Sequence, residues 1–199
     1  MRKFHLVSRW HVDAPVDAVW DVLADPAFTW PSWWPALSAD DVVASGGRTA
    51  ERWSRVRLRV RSPLGWSLHV GLVLESACEP AAGPPVQAGR ALLRASGDLV
   101  GTGAVVVVRL PAPLPDGDDD GGATEVTLTW SVGLARAGVT GRLLGLLPRW
   151  VLTAAHGAVM RSGERGLRAR VGAAAVSRTS GRWTSGATSP PRRSGAAPP

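Results

Sequence analysis

Hydrophobic and polar positions change period three times along this chain, and the changes mark its elements. Phe4–Val12 alternates and predicts a first strand. Through Asp13-Ala14-Pro15 the chain passes into Val16–Ala24, where Val16, Val19, Trp20 and Leu23 recur at helical spacing and make one apolar face. Asp13 is placed to cap the helix's orphan amides, and Pro15 suits its first turn, where no donor is needed. Pro26–Leu37, interrupted by prolines, predicts a second short helix or helical turn. It carries Trp30, Trp33 and Trp34, three indoles that either plug the end of a core or line a hollow in it.

A run of strands follows. Asp41–Ala44 predicts a short one before a Gly46-Gly47 turn. Trp53–Val60 alternates strictly, with Trp53, Arg55, Arg57 and Arg59 on one face and Ser54, Val56, Leu58 and Val60 on the other, as a half-buried antiparallel strand requires. Trp66–Ser76 repeats the pattern, with Leu68, Val70, Leu72 and Leu74 inward and His69 and Glu75 outward. Pro80–Pro85 reads as loop, and Ala91–Ser96 and Gly103–Leu110 as strands around Gly97–Gly101. Pro111–Gly122 is a solvated connection, and Thr124–Leu134 a last strand with Val126, Leu128, Trp130 and Val132 on one face. The period then becomes helical over Leu143–Val171, with the helix proper starting at Pro148. Its stripe of Leu152, His156, Val159, Met160, Gly163 and Leu167 adjoins one of Leu144, Leu147, Val151, Ala155, Ala158 and Ser162.

Strands in one run with helices at the ends imply an α+β fold: a curved antiparallel sheet of six to seven strands wrapped around the long C-terminal helix, two short helices following strand one. With 199 residues, 45% of them hydrophobic, the chain is expected to form one domain over 1–171. Residues 172–199, rich in Ala, Ser, Gly, Pro and Arg, are expected to be a disordered basic tail.

Charge and cysteine content narrow the function. Arg178, Arg182, Arg192 and Arg193 supply four of the net +7 charges, and no acid follows residue 172. The domain's balance is then ordinary, and no nucleic-acid partner is expected. The single cysteine, Cys78, excludes an internal disulfide and fits a cytoplasmic location; no secretory leader is expected. Leu143–Met160 is largely apolar but short for a span and interrupted by Pro148, Arg149 and His156, so no stable membrane insertion is expected.

Four segments carry a family resemblance: APVDAVWDVLADPAFTWPSWWP from Ala14, GDLVGTG (Gly97–Gly103), TEVTLTWSV (Thr124–Val132) and AAHGAVMRSGERGL (Ala154–Leu167). They resemble the START / polyketide cyclase superfamily (SRPBCC, Bet v 1-like), in its bacterial polyketide cyclase/dehydrase-type branch, over roughly residues 4–170. The resemblance implies a helix-grip fold with a deep apolar cavity between sheet and helix. It implies binding of a small hydrophobic molecule, lipid-like or aromatic and polyketide-like. The alternative it leaves open is a polyketide cyclase/aromatase-type enzyme that holds an enolate or delivers protons with polar cavity residues.

The candidate ligand-binding positions are Trp33 and Trp34 beyond the first helix, and Val56, Leu58, Leu72, Leu74, Leu128 and Trp130 on inward strand registers. The long helix adds Leu152, His156, Val159 and Met160. Each of these would equally serve as core packing in a fold without a cavity. His156, on an otherwise apolar helix face, is the candidate for orienting a ligand or transferring a proton, and the alternative is a core histidine bonded to a neighbour. Arg94 joins the set as an oxyanion holder if its register faces inward; the preferred reading turns it outward, like Arg57 and Arg59. Asp98 reads as the cap of a tight turn. No cofactor or metal is expected, because His5, His11, His69 and His156 lack ligand spacing and Asp118–Asp120 lacks a distal glutamate. The chain has no tyrosine, no nucleophile elbow and no dinucleotide fingerprint.

Overall fold

The alternating stretches form seven strands: β1 (Lys3–Val12), β2 (Leu37–Ala44), β3 (Arg55–Arg61), β4 (Ser67–Cys78), β5 (Ala88–Gly97), β6 (Leu99–Arg109) and β7 (Thr124–Leu134). Among the described residues the helices are α1 (Val16–Leu23), α2 (Trp30–Trp33) and α3 (Arg149–Arg182). The structure, a computed structural model, describes residues 3–25, 27–44, 54–80, 88–110, 122–135 and 146–182. The expected Gly46-Gly47 turn, Trp53, most of the Pro80–Pro85 loop and of the Pro111–Gly122 connection, Leu144, and the tail beyond Arg182 lie outside these residues.

All strand pairs are antiparallel, in the order β1-β7-β6-β5-β4-β3-β2, so the first strand docks beside the last. The sheet is a curved half-barrel, and α1, α2 and α3 pack on its concave side, which is the helix-grip fold. Alternation explains the burial: Phe4, Trp10 and Val12 of β1 point inward, as do Val56 and Leu58 of β3, Val70 and Leu72 of β4, and Val126, Leu128 and Val132 of β7. On α3 the inward stripe is Ala155, Val159, Met160, Gly163, Leu167 and Val171.

Several boundaries differ from expectation: β4 and β5 run longer than expected and β6 begins at Leu99 instead of Gly103, and further differences bear on the helices and β2. Helix α1 begins at Val16 with Pro15 as its cap residue and no side-chain cap, so Asp13 is not the cap and stays exposed. Strand β2 starts at Leu37, because its residues pair with β3 as far as Val60. Helix α3 runs past Val171 to Arg182, into residues expected to begin the tail; Ala173–Ala175 favour helix strongly enough to carry it on.

Helix α3 is anchored at several heights. The Arg168 guanidinium donates to the His11 carbonyl at 2.8 Å and to Glu164 at 2.8 Å, tying α3 to the end of β1. The Trp34 indole N–H donates to the Val159 carbonyl at 3.0 Å, tying α2 to its middle. Gly163 and Gly166 make this approach possible, since a Cβ at Gly163 would collide with the Trp34 ring and one at Gly166 with the Trp33 carbonyl oxygen.

Candidate functional site

Between the first half of α3 and the sheet the core is hollow. A cavity of ≈ 170 Å³ is walled by α3 residues Leu152, Ala155, His156, Val159 and Met160 and, opposite, by Leu58, Leu72 and Trp130 of the sheet. Phe4, Trp66 and Leu134 line the end where the β3–β4 hairpin meets the start of α3. A second cavity of ≈ 70 Å³ lies toward α1, walled by Trp20, Leu23, Phe28, Leu74, Leu93 and Leu128. Trp30, Trp34 and Trp130 line both, so three indoles form the partition between the two spaces.

Each partition residue is held differently. Trp34 donates to Val159, stacks on Trp33 at 5.7 Å between centroids, and meets Trp10 edge-on at 5.3 Å. The Trp30 N–H donates to the Leu23 carbonyl at 2.9 Å, and its ring meets Phe28 edge-on at 5.2 Å. Phe28 reaches that place through a left-handed backbone, φ 49°, uncommon for a bulky side chain. The Asp25 carboxylate holds the turn by accepting from the Ala27 amide and the Thr29 hydroxyl. Trp130 pairs across the sheet with Gly103, and a Cβ there would lie 2.5 Å from the indole. The ring therefore lies across the bare backbone of β6 instead of standing toward α3, which leaves the space above it open. Its N–H is buried and has no hydrogen-bond partner among the described residues.

His156 is the one titratable side chain on the wall of the larger cavity among the described residues. Its Nε2 lies 3.3 Å from the Ser8 hydroxyl of β1. Burial pushes the imidazole down to about 4, so it is neutral at physiological pH. His156 and, near the hairpin, Ser62 are the polar residues of an otherwise apolar wall, with Ser8 behind His156 as its partner.

Most of the sequence candidates meet at these two spaces: Trp34, Leu58, Leu72, Trp130, Leu152, His156, Val159 and Met160 around the larger, Leu74 and Leu128 around the smaller. Three do not. Val56 is buried in solid packing with Phe28, Leu72 and Ala95. Trp33 is buried behind Trp34, against α3. Arg94 is on the outer face of the sheet, exposed and ion-paired with Glu75, as the preferred reading had it. Asp98 closes the β5–β6 turn and accepts the His69 amide at 2.8 Å. The sequence candidates omitted Ser8, Phe4, Leu6 and Trp66; Ser8 announces itself as the polar residue in the inward series Phe4, Leu6, Ser8, Trp10, Val12.

Among the described residues no group of three or more His, Cys, Asp or Glu is placed to hold a metal ion, and no helix is long and apolar enough to cross a membrane.

A curved sheet gripping a long helix around a hydrophobic hollow defines the helix-grip class of folds. A family model described as polyketide cyclase / dehydrase and lipid transport matches residues 3–83. The match spans β1 to β4, 81 of the 199 residues, and over that stretch the chain is similar to this family; the fold of the described residues is the helix-grip fold. Among solved structures it is similar to the Zhui aromatase/cyclase from Streptomyces sp. R1128, at 19% identity and TM-score 0.54, covering 85% of this chain and 94% of that one. It is similar as well to a START superfamily protein from Mycobacterium smegmatis, at 16% identity and TM-score 0.52, covering 84% and 96%. At these identities the likeness is one of fold. Among curated proteins none matches the chain.

Proposed function

We propose that the chain binds a small, neutral, hydrophobic molecule, lipid-like or aromatic, in the cavity between α3 and the sheet. The observation that carries this reading is the wall itself: apolar side chains, one imidazole held neutral by burial, and, among the described residues, no lysine, arginine or carboxylate around the larger space. An apolar cavity of about 150 Å³ suffices to admit benzene, so ≈ 170 Å³ suits a ring-sized group. A longer ligand reaches the second space only when the Trp30–Trp34–Trp130 partition moves aside. Affinity comes from burying ligand surface, at about 25 cal/mol per Å² of apolar area. A ligand carboxylate would enter without a cationic partner and pay its desolvation uncompensated. His156, held by Ser8, offers one hydroxyl or carbonyl its hydrogen bond, which orients the ligand.

The test is native mass spectrometry of the protein purified from its own host, with solvent extraction of what it carries, followed by calorimetric titration with naphthol and naphthoate. A neutral apolar passenger and a preference for naphthol are expected. A carboxylate passenger, or naphthoate binding as tightly as naphthol, overturns the reading.

The second reading is a cyclase/aromatase-type enzyme, and the observation on its side is the presence of His156 on the cavity wall. A base whose conjugate acid has a pKa of about 4 abstracts protons weakly at neutral pH, and Arg94 is too far outside to hold an oxyanion. A His156→Ala variant that keeps ligand affinity but loses turnover of a polyketide thioester would establish the enzyme; loss of affinity alone favours binding.

A further inference from the structure

We propose that the end of the molecule at which the larger cavity meets the β3–β4 hairpin is a docking surface for an anionic lipid bilayer. The proposal rests on the apolar-ligand reading for its purpose, and on separate residues for its evidence. The three most exposed large hydrophobic side chains among the described residues are Leu146 at 82%, Trp150 at 72% and Leu64 at 58%. They belong to one end of the fold. Leu64 is at the turn of the β3–β4 hairpin, and Leu146 and Trp150 flank the start of α3. Trp66 of the hairpin and Leu147 and Leu152 of the helix approach share one cluster with Phe4 and Leu134, which brings the two exposed segments together. Phe4, Trp66, Leu134 and Leu152 also line the cavity, so the exposed patch and the cavity wall are continuous.

Charge at this end favours an anionic surface. Lys3, Arg61 and Arg149 are exposed there, with the Arg149 guanidinium 5.6 Å above the Phe4 ring and 3.5 Å from the Lys3 carbonyl. Asp98, the acid of the neighbouring β5–β6 turn, is engaged by the His69 amide. An indole and two leucines at an end that carries three basic residues against the one acid Asp98 among the described residues of that end match a bilayer interface, where apolar tips enter the headgroup boundary and basic groups meet lipid phosphates. The opening then faces the hydrocarbon from which an apolar ligand would come, so transfer need not cross bulk water.

Co-sedimentation of the full chain with vesicles tests this. Vesicles of equal parts phosphatidylcholine and phosphatidylglycerol should pull the protein down, and pure phosphatidylcholine should not. Replacing Leu64, Leu146 and Trp150 together by serine, all at exposed positions, should weaken vesicle binding about tenfold. Circular dichroism and naphthol affinity should stay unchanged. No binding to the mixed vesicles, equal binding to both vesicle types, or equal binding by the variant each overturns the proposal. A wild-type dimer that the variant converts to monomer overturns it in favour of a second copy of the chain. Naphthol binding without vesicle binding removes this proposal alone; vesicle binding without naphthol binding removes the ligand reading alone.

Discussion

The two halves of α3 share a helix and a sheet, yet one half covers a hollow and the other is solid. From Gly163 onward, glycines at 163 and 166 admit the Trp34 ring and the Trp33 backbone to the helix, and Leu167 and Val171 are buried against that packing. Before Gly163, the helix presents Leu152, Ala155, His156 and Val159 to the sheet, and Trp130 on the opposite wall lies down over Gly103. The difference teaches that a cavity in this fold is a matter of where the indoles are allowed to go. A glycine on the helix draws an indole up and closes the space; a glycine on the sheet lets one lie flat and opens it.

The largest expected effect comes from breaking the solid half. Gly166→Val sets a side chain against the Trp33 carbonyl, which is backbone and cannot rotate away. It should cost about 3 kcal/mol or more, at the upper end for overpacking, read as a lowered urea midpoint. Next is the polar spot of the hollow half. His156 is held at about 4 against 6.5 when unfolded, so the unfolded chain binds the extra proton between those values. Stability is then unaffected above pH 6.5 and falls as pH drops from 6.5 toward 4, by roughly 3 kcal/mol in total. Urea titrations at neutral pH and near the lower limit should show this loss, and His156→Leu should abolish it; a pH-independent wild type would contradict it.

A sharper probe of the contrast enlarges a side chain where there is room. Leu152→Phe projects into the larger cavity and should change stability by less than about 1.5 kcal/mol while sharply weakening naphthol binding in calorimetry. The smallest effect is expected outside the grip: Arg94→Ala removes an exposed pair with Glu75, about 0.5 kcal/mol, and leaves naphthol affinity unchanged.

Much of this arrangement was readable in one dimension. The period of two placed Leu58, Leu72 and Trp130 inward, the period of 3.6 placed His156 and Met160 inward, and the order of periods defined the α+β layout. What periodicity cannot convey is how far apart two inward faces stand. Val56 and Leu58 share a register, but only Leu58 meets the cavity, because Phe28 fills the space beside Val56. Trp33 and Trp34 are neighbours, but only Trp34 reaches the partition, because α2 turns Trp33 behind it. The Asp13 cap failed because the helix begins two residues later than the motif suggested, with Pro15 at the cap position. Ser8 was legible as a break in an apolar series, yet its meaning required the helix that brings His156 within 3.3 Å of it.

Trp34 touches both regions at once, stacked on Trp33, edge-on to Trp10, and exposed to each cavity on its remaining sides. Indoles at 5–6 Å couple their electronic transitions, and that coupling depends steeply on ring angle. Any molecule that enters and tilts Trp34 thereby alters the near-ultraviolet dichroism of the whole cluster. The protein carries its own optical gauge of occupancy, with no label to attach.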